Sequence, residues 1–104
     1  MDTIRIKILG ETWMIKEKRL PDEIDAQTEY TKRRIVFDPK MKKYPKTEYN
    51  RTIRHEIIHA FQFESGLGFN VEHKPIGIEE TFVDWYALQY PKIKKIYEKL
   101  NVEE

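Results

Sequence analysis

The chain has 104 residues, a formal net charge of +1 and no cysteine. This length is typical of a single domain, so we expect one domain spanning residues 1–104. The missing cysteines exclude a disulfide scaffold and any thiolate metal site. No apolar stretch has the length of a signal peptide core or a membrane span. We therefore expect a cytoplasmic protein that has no membrane partner.

The first half of the sequence is typical of short strands. Residues 3–18 alternate apolar and polar side chains around Gly10, which predicts a β-hairpin. Pro21 opens a segment, PDEIDAQTEY, that we interpret as a short helical piece. The apolar run in RRIVFD, residues 33–38, then predicts a third strand that ends before Pro39.

The second half is predicted to be helical. A long helix is expected to begin with Thr47 as its N-cap and to stop at Gly66. A second helix, from about residue 77 to 90, is apolar nearly all round, which predicts burial. Pro91 is expected to start a terminal helix with one apolar stripe that packs in the core. That stripe contains Ile93, Ile96, Tyr97 and Leu100.

The long helix contains the motif HEIIH, residues 55–59. Residues four apart lie on one face of a helix, so His55 and His59 can converge on a single zinc ion. Glu56 follows His55 by about 100° of rotation around the helix. It would lie beside the metal, where a general base for a water molecule is needed. The alternative is an amphipathic helix that carries two ordinary surface histidines.

A catalytic zinc site usually has a third protein ligand. His73 lies in the connection after the long helix, whereas the next helix contains EETFVDWYA, residues 79–87. Glu80 and Asp84 are four apart on one face. One carboxylate could bind the metal while the other accepts a hydrogen bond from a liganding histidine. Alternatively, Glu79 and Glu80 are exposed acids in the first turn of the helix, where the helix dipole favours them.

HEIIH followed 20 residues later by EETFVDWYA resembles the gluzincins, the zincin metallopeptidases whose third ligand is glutamate. The run RHEIIHAFQFESGL is particularly similar to phage and prophage proteins related to the ImmA/IrrE group. The resemblance implies a minimal zincin-like α+β fold. In that fold a small antiparallel sheet, formed by the hairpin and the strand RRIVFD, packs on the HExxH helix and on a glutamate-bearing helix.

The same resemblance implies the roles of individual residues. His55, His59 and Glu80 would bind Zn²⁺, Glu56 would activate water, and Asp84 would accept a hydrogen bond from a ligand. Glu79 is the alternative third ligand, but the four-residue spacing between Glu80 and Asp84 favours Glu80. RRIVFD could be an edge strand that pairs with a protein or peptide substrate. Candidates for stabilising the oxyanion are His73, Tyr86 and Tyr90.

Two other functions remain open. The chain could be a zinc-stabilised binding module of phage or prophage origin that has no catalytic turnover. Residues 32–46 carry seven basic side chains and one acidic one, a run that could meet nucleic acid. No recognition motif accompanies this run, so we interpret it as a solvated surface and do not expect nucleic acid binding.

Overall fold

The computed structural model describes residues 3–66 and 75–104, and in its last helix the side chains of residue 82 and residues 85–100. The strands are β1 (Ile4–Ile8), β2 (Glu11–Glu17), β3 (Ala26–Glu29) and β4 (Arg34–Phe37). A 3₁₀ helix (Pro39–Lys43) and two α-helices, α1 (Lys46–Glu64) and α2 (Pro75–Leu100), complete the described elements. The α+β class predicted from the sequence is confirmed.

The hairpin of β1 and β2 agrees with the sequence pattern. The strands are antiparallel, with Ile6 opposite Trp13, and both side chains are buried. Leu9 and Gly10 connect them with φ angles of 50° and 88°. Two consecutive positive φ values match the right-handed twist of the strands, and glycine adopts such a value without strain.

The segment after Pro21 was predicted incorrectly. Instead of a helical piece it contains β3, which pairs antiparallel with β4 so that Ala26 lies opposite Phe37. Arg33, with a φ of 48°, donates its N–H to the Tyr30 carbonyl at 3.1 Å and reverses the chain between the strands. Pairing with a buried neighbour therefore overrides the weak local preference of this segment.

The sheet is mixed rather than purely antiparallel, because β2 and β4 run parallel. The strand order is β1-β2-β4-β3, so β4 is an inner strand. Its residues Ile35, Val36 and Phe37 are completely buried, as expected for a strand covered on both faces. The prediction that RRIVFD forms an edge strand is wrong, and β3 occupies an edge of the described sheet.

Helix α1 begins slightly earlier than expected. Pro45 is its N-cap and Thr47 lies inside the helix. The helix ends at Glu64, and Gly66 follows with a φ of 83°, as its sequence position predicted. One face is buried in the core and contains Ile53, Ile57, Ala60 and Phe61.

Helix α2 is continuous through Pro91, so the prediction of a separate terminal helix is wrong. The apolar stripe keeps its register across the proline, and Ile93, Ile96 and Tyr97 are buried as predicted. The expectation that the preceding turns are buried all round fails, since Phe82 is 40% and Leu88 70% exposed. Neither helix within the described residues is long and apolar enough to cross a bilayer.

Candidate metal centre

The two histidines of the HEIIH motif face each other on α1. Their Nε2 atoms are 3.1 Å apart, and the ring planes are inclined by 79°. His55 is exposed and His59 is half-buried. In a tetrahedral site with Zn–N bonds of about 2.0–2.1 Å, two ligand nitrogens lie about 3.3 Å apart. The pair is therefore close to the spacing that one zinc ion requires.

Glu56 points away from solvent and is 7% exposed. Its Oε1 atom accepts a hydrogen bond from the Thr28 hydroxyl at 2.8 Å, and the Glu56 carbonyl lies 3.2 Å from the same hydroxyl. Thr28 is on β3, at the edge of the described sheet. The carboxylate next to His55 is thus fixed by a neighbouring strand.

Sequence reasoning missed Thr28 as a part of this site. Its segment was interpreted as helical, and contact with Glu56 needs β3 to pair with β4 and α1 to pack beside β3. A threonine carries no catalytic signal by itself. Only the tertiary contact identifies it.

Tyr30 and Phe63 form an aromatic wall near Glu56. Their ring centroids are 5.3 Å apart, and Phe63 also packs edge-on against the buried Trp13 at 6.2 Å. Burial, followed by the negative charge of Glu56, raises the pKa of Tyr30 above its usual value. Tyr30 therefore remains neutral at ordinary pH.

The third ligand is not among the described side chains. Glu79, Glu80 and Asp84 lie on α2, but their side chains are outside the described part of the chain, as is all of His73. Within residues 3–66 and the described side chains of α2, no three potential ligands gather around one point. The structure thus brings together the imidazoles of His55 and His59, while the Glu56 carboxylate, one residue after His55, is directed to Thr28.

Helix α2 meets the end of α1 through Trp85. The indole N–H donates to the Ser65 hydroxyl at 2.7 Å, directly after the last residue of α1. From there a row of rings runs along α2, with Phe82 stacked on Tyr86 at 6.0 Å and Tyr86 against Tyr90 at 5.6 Å. Both tyrosines considered as oxyanion stabilisers belong to this row.

The basic run of residues 32–46 is largely neutralised by acids elsewhere in the fold. Arg33 pairs with Glu64 at 2.7 Å, and Arg34 pairs with Glu29. Other cations are also engaged: Lys42 pairs with Glu17, and the Lys40 ammonium donates to the carbonyls of Pro21 and Asp22. These contacts favour a structural role for most of the run.

Comparison with known proteins gives no match: no family model, no curated protein and no solved structure is significantly similar to this chain.

Proposed function

We propose that this protein is a zinc-dependent metallopeptidase. One observation carries the proposal: two imidazole nitrogens lie 3.1 Å apart on α1, and the residue after His55 is a buried glutamate whose carboxylate accepts a hydrogen bond from a hydroxyl. His55 and His59 would be two metal ligands. By the resemblance to gluzincins, Glu80 would be the third, and Asp84 would accept a hydrogen bond from a liganding histidine.

The histidine pair is chemically suited to this role. Without metal, the Nε2 spacing equals that of a hydrogen bond, which requires one ring to carry its proton on Nε2. A metal needs a lone pair from both Nε2 atoms, so the proton of that ring would move to Nδ1, where the other ring already carries its proton. Small rotations of the two rings are enough to open the spacing to the tetrahedral value.

Glu56 would act as the general base and then as the general acid. When bound, zinc would supply Lewis acidity that makes a water molecule easier to deprotonate and polarises the scissile carbonyl. Glu56 would accept the proton from water and deliver it to the departing amine. The hydrogen bond from Thr28 occupies Oε1, which leaves Oε2 for this transfer.

The substrate would bind along β3. This strand has β4 as its only neighbour in the described sheet, so its outer edge can pair with an extended peptide. A peptide in that position would pass beside Thr28, whose hydroxyl touches Glu56. The substrate-pairing role that the resemblance gave to RRIVFD is therefore better suited to β3.

The test is the E56Q variant, assayed with a library of internally quenched peptides. E56Q should retain zinc and the wild-type melting temperature but hydrolyse peptides at least about 100-fold more slowly, since it has no carboxylate to accept a proton. E64Q is the matched control, because Glu64 lies on the same helix and pairs with Arg33. Full activity in E56Q would refute the assignment. A wild-type protein that binds zinc but cleaves no peptide would favour the binding module.

A further inference from the structure

A groove lies between β1 and the second half of α2, and its lining includes neither histidine of the proposed metal centre. Its volume is about 470 Å³. The lining residues are Lys7, Leu9, Phe61, Lys92, Lys95 and Ile96. Phe61 and Ile96 are buried and Leu9 is half-buried, whereas the three lysines are exposed. The groove thus has an apolar floor and a basic rim.

The rim lysines differ from the basic run of residues 32–46. Most cations of that run are paired with acids or carbonyls, whereas Lys7, Lys92 and Lys95 have no polar partner within the described residues. Lys92 and Lys95 are three apart on α2, so their charges repel each other across one turn. A bound anion would relieve this repulsion.

The two walls of the groove are fixed to each other. Beyond the rim, the Lys99 ammonium on α2 donates to the carbonyl of Arg5 on β1 at 3.1 Å. Ile8 of β1 and Ile93 of α2 are also completely buried members of the common core. A ligand would therefore meet a preformed groove and would not have to order it.

We infer that this groove binds an acidic segment of a partner protein, with one apolar side chain seated on the floor and flanking carboxylates at the lysines. The three positive charges complement carboxylates, while the floor contributes apolar contact that a free inorganic anion could not use. The fold thereby gathers residues 7, 92 and 95 into one recognition surface, separate from the proposed substrate strand β3.

The probe is a pool of short fluorescein-labelled peptides in which glutamates flank one phenylalanine, leucine or tryptophan. Binding is measured by fluorescence anisotropy at low salt. The wild-type protein should bind the pool, and K92E/K95E should weaken binding at least about tenfold, because two attractive charges become repulsive. Replacing the apolar residue of the peptides by alanine should also weaken binding several-fold.

The matched control is K32E/K43E, which makes the same change in net charge at exposed lysines that lie outside α2 and do not line the groove. It should bind within about twofold of the wild type, because neither substituted side chain contacts a ligand in the groove. The inference is overturned if the pool does not bind, if the control loses as much affinity as K92E/K95E, or if the alanine peptides bind equally well. Binding to phosphatidylglycerol vesicles without binding to the peptides would also overturn it.

Discussion

The hydroxyl of Thr28 lies 2.8 Å from the Oε1 atom of Glu56, joining the edge strand β3 to the HEIIH helix. Glu56 is 7% exposed, so the orientation of its carboxylate depends on this donor more than on water. One contact thus links the strand proposed to bind substrate to the residue proposed to move the proton.

Replacing Thr28 by valine should damage the site while retaining its shape. The T28V variant removes the donor and leaves a buried carboxylate oxygen unpaired, which should lower the free energy of unfolding by about 1–3 kcal/mol. A misplaced carboxylate should also reduce kcat for peptide hydrolysis by about tenfold to a hundredfold, with little change in KM. Urea denaturation and steady-state kinetics measure the two effects.

T28S is the control, because serine retains the hydroxyl and loses only a methyl group. It should restore most of kcat, and both variants should bind zinc as the wild type does. If T28V and T28S lose kcat equally, the hydroxyl does not position Glu56.

Pro91 provides a test of the continuous α2 helix. A proline inside a helix cannot donate a hydrogen bond to the carbonyl four residues earlier, here that of Ala87, and its ring crowds that carbonyl. P91A should therefore raise the free energy of unfolding in urea by about 1–3 kcal/mol. If Pro91 instead began a separate helix, where proline is favourable, P91A would be neutral or destabilising.

Glu29 should make folding stability depend on pH in acid. The hydrogen bond from Arg34, assisted by Lys18, lowers the pKa of Glu29 from its usual 4.5 to about 2. Because folding favours the charged form, the stabilisation is present above pH 4.5 and is lost as the pH falls toward about 2. The difference in unfolding free energy between wild type and E29Q should shrink over that window.

The R34Q background controls for the cause of this shift. In that background, replacing Glu29 by glutamine should change the free energy of unfolding much less at every pH, because the main hydrogen-bond donor to Glu29 is gone. An undiminished effect would show that the carboxylate is stabilised by something other than Arg34.

Much of the fold could be predicted because it depends on local signals. The alternation around Gly10 predicted the hairpin, and Ile53, Ile57 and Phe61, which are buried on α1, recur at the four-residue spacing of a helix that buries one face. The apolar stripe at the end of α2 was predicted for the same reason. In each case, residues a few positions apart determine both the element and the face that it buries.

Other features depend on contacts that no local pattern reveals. Strand β3 forms because β4 offers an edge, and the parallel pairing of β2 with β4 joins segments separated by the whole of β3. Helix α2 continues through Pro91 because buried residues on both sides hold it to the core. Thr28 at the carboxylate and Lys7 beside Lys95 meet only after the chain has folded.

Zinc affinity identifies the third ligand. If Glu80 binds the metal, E80Q should weaken zinc binding in a competition titration with a chelator, since a neutral amide is a poorer ligand than a carboxylate. E79Q is the matched control on the adjacent position and should bind zinc as tightly as the wild type. The opposite result would assign the role to Glu79.

The central claim is that the imidazoles of His55 and His59 hold a zinc ion. Elemental analysis of protein purified without added metal tests it most directly, with H59A as the disrupting variant and H73A as the matched histidine control. We predict a single zinc ion per chain in the wild type and in H73A, and its loss in H59A. Wild-type protein that contains no zinc, or H59A that contains as much as the wild type, would contradict the claim.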